Sequence, residues 1–190
     1  MTLVYTGAGS RDTPRPVGAT LTALTRTLAQ RGYTVRVGGA RGADLDFEVG
    51  ATAAGDEIYN VELYLPWPEF CAREAHAARL PRPRPGRTEP SPAAYELAAR
   101  HHPAWDALSP THRTLHARNG HELLGADLND PSRFLVCWTA DGADADHPPT
   151  RATGGTGQAI RIAIAYGVPV FNLARPETYD RIQRFIAMNP

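Results

Sequence analysis

Residues 35–55 read VRVGGARGADLDFEVGATAAG. Val35 and Val37 open an apolar, β-branched run. Three glycines then fall within five positions (Gly38, Gly39, Gly42), and a charged stretch follows with Arg41, Asp44, Asp46 and Glu48. A short β-branched run stopped by glycine reads as a buried strand, and the segment after it, closing at Gly55, reads as a helix. A strand that passes through glycines into a helix is the building unit of a parallel sheet, because parallel neighbours need a crossover connection.

The same alternation recurs on both sides. TLVYTG (2–7) is an apolar run ending in glycine. RPVGATLTALTRTLAQRG places Val17, Leu21, Leu24 and Leu28 on one helical face and stops at Gly32. NVELYLP (60–66) reads as a third strand. Further along, SRFLVCWT (132–139) and VPVFNLA (168–174) read as a fourth and fifth. Helices are expected in SPAAYELAARHH and SPTHRTLHARNGHELLG, with Ser91 and Ser109 as N-caps followed by proline. Two more are expected in GGTGQAIRIAIAYG and RPETYDRIQRFIAM, the last with Tyr179, Ile182 and Ile186 on one side. The pattern predicts a Rossmann-like, doubly wound α/β fold with a mainly parallel sheet and helices on both faces. The chain reads as one domain, 1–190, without repeats. LPRPRPGRTEPSP (80–92) is too rich in proline for a helix or central strand and is expected as an exposed excursion.

Bulk properties narrow the function. The 20 basic and 20 acidic residues cancel. Proteins that hold many phosphates of a nucleic acid usually carry a basic excess, so the balance argues against nucleic acid as a partner. No run approaches a membrane span, and the N-terminus reads as a strand rather than a signal peptide. Cys71 and Cys137 are far apart, which fits a reducing cytoplasm. The chain contains no lysine, which excludes Schiff-base chemistry and a Walker A phosphate loop.

Three glycine clusters each follow a strand and precede a helix: Gly7 and Gly9; Gly38, Gly39 and Gly42; Gly154, Gly155 and Gly157. In a parallel sheet all three lie at the carboxyl ends of strands, the edge where open α/β sheets bind ligands. Backbone N–H groups and helix N-termini there favour an anion, so a nucleotide-like or phosphate ligand is expected. Asp44 and Glu48 are four apart and share a helical face, placed to accept hydrogen bonds from a ribose or a base, with Arg41 toward phosphate. An NAD dehydrogenase is not expected: GAGSRD lacks the third fingerprint glycine, and the second strand ends without a ribose-binding acid.

GSR after the first strand, GGARGAD after the second and GGTGQAIRIA before the last together resemble the SLOG superfamily, in particular small stand-alone DprA/LOG-like proteins. The resemblance spans nearly the whole chain. It implies a Rossmann-like fold, nucleotide-derived ligands and frequent homodimers. It also implies ligand contacts from Gly7, Gly9, Ser10, Arg11, Gly38, Gly39, Ala40, Arg41, Gly42, Gly154, Gly155, Thr156, Gly157 and Gln158, and Thr139, at the end of the fourth strand on the same edge, is placed to bond the ligand as well. Family phosphoribohydrolases carry PGGxGTxxE with a catalytic glutamate. Here Thr153 stands for the proline, Gln158 for the threonine and Arg161 for the glutamate. Family enzymes place an arginine shortly before the preceding strand, and Arg118, with Asn119 beside it, stands at a comparable place, to contact phosphate or to stabilise an oxocarbenium-like centre. Glu48 and Asp44 are the acids available to replace the missing one. The leading expectation is therefore a protein that binds a nucleotide or nucleotide-derived molecule. The alternative is a phosphoribohydrolase-like enzyme using Glu48, Asp44 and Arg118, and the third reading is DprA-like binding of single-stranded DNA.

Other signals are weaker. His112 and His116 have zinc-like spacing but no completing acid, so neither metal nor cofactor is expected. Asp141, Asp144 and Asp146 read as solvated charges in a loop able to close over a ligand. Trp138 ends the fourth strand, either in the core or against a base.

Overall fold

The computed structural model describes residues 3–53, 60–70 and 84–188. Its strands are β1 (Val4–Gly9), β2 (Thr34–Val37), β3 (Val61–Leu63), β4 (Arg84–Pro85), β5 (Leu135–Trp138) and β6 (Val170–Asn172). Its helices are α1 (Arg15–Gln30), α2 (Ala43–Thr52), α3 (Pro92–His101), α4 (Pro110–Leu124), α5 (Thr156–Ala165) and α6 (Thr178–Met188). The strands form one sheet in the order β4-β3-β2-β1-β5-β6, and every pairing is parallel. This is the doubly wound α/β arrangement that the alternation predicts. The chain leaves β1 toward β2 on one side and later returns to β5 on the other. The sheet therefore has its topological switch point between the carboxyl ends of β1 and β5.

Period-two alternation sorts each strand's side chains between two faces. Tyr5, Val35, Val37, Phe134 and Val136 face α1, α2 and α6, meeting Leu21, Leu24, Leu28, Phe47, Ile182 and Ile186. Ala8, Leu135, Cys137 and Val170 face α3, α4 and α5, meeting Leu97, Leu123, Leu124, Ile160 and Ile162. Leu21, Leu24 and Leu28 recur every three to four residues and are almost wholly buried. Each contributes about 1.5–3 kcal/mol by leaving water. Pro16 lies in the first turn of α1, and Gly32 takes φ of 82° just past its end, which an L side chain resists. Ser91 and Ser109 cap α3 and α4 by accepting from the amides of Ala94 and His112, both at 3.3 Å.

Two expectations change. The proline-rich segment is not wholly an excursion, since Arg84–Pro85 adds an edge strand to β3. Gly86 donates to the Leu63 carbonyl and Leu65 to that of Arg87, and proline is tolerated at an edge where it need not donate inward. Residues 80–83 lie outside the described residues, as does Gly55, the expected end of α2. In α6, Ile182 and Ile186 are buried, but Tyr179 stays 43% exposed and Phe185 packs on the core in its place. Among the described residues no helix is long and apolar enough to cross a membrane.

Candidate functional site

At the switch point a cavity of about 710 Å³ opens between the β1–α1 loop, α4, the end of β5 and the turn before α5. A second cavity, about 590 Å³, lies between α1 and α6 around Val17, Ala23, Leu173 and Tyr179. It is mostly apolar, and its one charged group, Arg175, is tied to Asp144 at 3.1 Å. The chemistry gathers in the first.

Helix α4 supplies one wall. Ser109 fixes where the helix starts, and the 3.6-residue repeat then brings His112, Leu115, His116, Asn119 and Glu122 onto one face lining the cavity, with Arg118 beside them. Arg118 Nη1 is paired with Glu122 and stands 3.7 Å from Asp44 Oδ2. Asp44, in the first turn of α2, accepts the Ala40 amide at 3.1 Å. The guanidinium occupies the space over Gly38: a Cβ there would fall closer to Arg118 Nη1 than a bond length. Among the described residues the buried Arg118 Nε has no hydrogen-bond partner. Asn119 donates to the Gly155 carbonyl at 3.5 Å, linking the wall to the glycine turn.

Asp44, Glu48 and Glu122 are 6%, 3% and 2% exposed; Asp44 and Glu122 share the Arg118 guanidinium, while Glu48 has Asp44 as its charged neighbour. Burial, with the neighbouring Asp44, pushes Glu48 up to about 8. Burial also carries Glu122 up to about 8, with Asp44 adding and Arg118 opposing. The Glu122–Arg118 contact has the geometry of an ion pair. One cation between two buried carboxylates does not offset the burial of both, however, and Glu48 has no cation beside it, so the balance favours protonation of Glu122 and Glu48. Burial raises Asp44 too, against Arg118 and the amides of Ala40 and Gly38. His116 is driven down to about 4 by burial and by nearby His102, His112, Arg118 and Arg161, so it is neutral near pH 7. Among the described residues no group of three His, Cys, Asp or Glu side chains is placed to hold a metal ion.

The turn Gly154–Gly155 forms the opposite rim. A Cβ at either glycine would meet nothing within 4 Å. Gly154 has φ of 67°, and the first N–H groups of α5 begin immediately after it. The loop before this turn is tied to its surroundings by side-chain hydrogen bonds. Asn172 donates to Thr139 Oγ1 at 2.7 Å and to the Ala143 carbonyl at 2.8 Å. Thr153 donates to Asp141 at 2.6 Å, and Arg161 to the Pro149 carbonyl at 3.1 Å. Asp144 is 4% exposed and accepts from the His147 amide at 2.9 Å. The expectation of solvated loop charges therefore fails for Asp144, and against the cost of burial these hydrogen bonds, with Arg175, hold it below the usual carboxylate range.

Of the residues singled out in the sequence, the cavity gathers Gly9, Ser10, Arg11, Ala40, Asp44, Arg118, Asn119, Thr139, Gly154, Gly155 and Thr156. Gly7, Gly38, Gly39, Arg41, Gly42, Glu48, Gly157 and Gln158 do not line it. Packing explains several of these. A Cβ on Gly7 would enter the Phe47 ring, and one on Gly42 would meet the Ser10 and Arg11 carbonyls. Gln158 is fully buried and donates to the Ala98 carbonyl at 3.0 Å. Gly7 and Gly9 thus let α2 approach β1, Gly38 and Gly42 make room for Arg118 and for the β1–α1 loop, and Gly154 and Gly155 border open space. Thr139 does line the cavity, but its hydroxyl already accepts from Asn172 and Ala143. Glu122 was missed, although it is four residues after Arg118 and three after Asn119, a spacing that sets all three along one side of α4. Trp138 is half-buried and lines the cavity.

No protein-family model matches the chain, and no curated protein matches it. Its fold is similar to a solved structure of DNA processing protein A from Helicobacter pylori, described as having a unique single-stranded DNA binding mode. The TM-score is 0.54 at 17% identity, over 90% of this chain and 65% of that one. The chain therefore spans just under two thirds of the length of that neighbour. This likeness corrects one expectation: a protein of this fold binds single-stranded DNA, so the balanced charge does not exclude nucleic acid as a partner.

Proposed function

We propose that this chain is a nucleotide-binding protein of SLOG type, acting as one domain, whose switch-point cavity receives a nucleotide unit. The phosphate sits at the Gly154–Gly155 turn and the start of α5. The sugar and base extend toward Asn119, Arg118, Asp44 and Trp138. One observation carries this reading: a single cavity joins an open glycine turn at a helix N-terminus to a buried guanidinium–carboxyl cluster. The first end suits a phosphate and the second suits hydroxyl or amino groups. Equilibrium dialysis against nucleoside 5′-monophosphates tests it. Gly155→Asp puts a carboxylate into the open space beside the turn and should weaken binding by about tenfold or more. Unchanged binding by that variant would remove the phosphate from the turn.

A second reading is favoured by the fold likeness: the bound unit belongs to a single strand of DNA. Arg11 on the cavity rim and Arg151 beside the turn are exposed and placed to meet flanking phosphates. A mobility shift with a single-stranded oligonucleotide that weakens with salt and with Arg11→Ala would favour the strand over the free nucleotide. Hydrolysis is a separate outcome. Arg161, where related hydrolases carry their acid, is spent on the Pro149 carbonyl, which leaves Asp44 as the expected acid on the cavity wall. Release of free base from the monophosphates would establish that activity.

A further inference from the structure

Two carboxyls and one guanidinium meet at the floor of the cavity, and a third carboxyl is buried behind it. Asp44 and Glu122 lie on either side of Arg118, and Glu48 lies one turn of α2 beyond Asp44, behind the wall. The four are nearly closed off from solvent. The charged groups that act on this floor come from every side: Arg118 and Glu122 from α4, Asp44 and Glu48 from α2, and Arg11 from the β1–α1 loop. Near β2 the Gly38 amide is the polar neighbour, donating to Asp44. With one acid ionised the floor is electrically neutral. With all three ionised it carries two negative charges beyond that of Arg118, in a poorly solvated place beside the space a ligand must enter, and the exposed Arg11 at the rim offsets them only weakly through solvent.

We propose that this floor selects ligands by charge through its own protons: a phosphate-bearing ligand is admitted while Glu48 and Glu122 are protonated and is repelled once they ionise. The proposal deepens the nucleotide reading of the cavity and rests on it. Both acids sit near 8 in the empty site, so the change falls in the mildly alkaline range. The sign follows from linkage. A bound phosphate disfavours the ionised carboxylates, so it raises their proton affinity. Binding then takes up protons, and affinity falls as pH rises through the empty-site values, by up to about tenfold per pH unit for each proton taken up. Glu48 does not line the cavity and acts through Asp44, so it is a positioning residue whose charge is felt without contact.

The test uses adenosine 5′-monophosphate, whose phosphate is already a dianion above pH 7. Adenosine is the uncharged control. Calorimetric titrations run from pH 7 to 9.5, with buffers of different ionisation enthalpy to count protons. The expected result is proton uptake with the monophosphate and an affinity loss on the alkaline side that adenosine does not share. Glu48→Gln should flatten that loss. Carboxyl carbon resonances of labelled glutamate in the ligand-free protein provide a reading that depends on neither the variant nor the ligand: Glu48 and Glu122 should titrate well above pH 6. Both titrating below that value, or monophosphate binding without proton uptake, overturns the proposal while leaving the nucleotide reading intact. No monophosphate binding at any pH overturns both.

Discussion

A single methyl group at Gly38 tests whether the buried cluster holds the site together. Gly38 is not among the glycines with positive φ, so alanine fits its backbone. The obstacle is the Arg118 guanidinium, which occupies the position the new Cβ would take, with Glu122 Oε1 close behind. In Gly38→Ala, Arg118 must swing away from both carboxyls, leaving Glu122 at 2% exposure without its cation. Breaking one half of a buried pair costs about 3–5 kcal/mol. Glu122 accepts a proton readily, so the lower end applies, about 3 kcal/mol. For a chain of this length that lowers Tm by roughly 6–12 °C. Urea unfolding measures the loss directly. The Arg118→Ala background isolates its cause, because the methyl should cost less once the guanidinium is gone and only the end of the Glu122 side chain must turn aside. An equal cost in both backgrounds would show that the penalty does not come from Arg118, and the account of Gly38 as its cradle would be wrong.

Further outcomes follow from the same geometry. Because burial raises Glu48 to about 8, the folded state binds a proton there that the unfolded state has lost above about pH 4.5. Stability should thus fall from pH 5 to 8.5, and Glu48→Gln should flatten the decline in thermal melts. Asn172→Ala removes the donors to Thr139 and Ala143 at a site 1% exposed and should cost about 2–4 kcal/mol, read as a lowered urea midpoint. Gly155→Ala, with ordinary φ and empty surroundings, should change stability by less than about 0.5 kcal/mol. Gly154→Ala, at φ of 67°, should cost about 1 kcal/mol in the same assay.

The layered fold was legible because strands and helices announce their periods: Val35 and Val37 alternate with Arg36, while Leu21, Leu24 and Leu28 step by three and four. The short edge strand at Arg84–Pro85 was hidden, since proline carries no strand signal and the pairing depends on β3, far away in sequence. The site was half legible. Glycines announce turns, but Gly7 and Gly154 look alike in sequence, and only packing reveals that one faces Phe47 and the other faces open space. Glu122 escaped notice because its meaning comes from Asp44 across the sheet edge. Arg36 escaped for the same reason. It is buried in a strand and pairs with Glu62 at 2.8 Å and with Asp130 at 2.5 Å, partners that only the tertiary fold brings near.

The fastening of residues 139–153 bears on how a guest would be received. Asn172, Asp141, Arg161 and Arg175 have already fixed this wall, so a ligand need not spend its contacts on ordering the protein. Small fragments of the ligand should then bind measurably by themselves, and association should proceed in one kinetic phase, without a slow closing step.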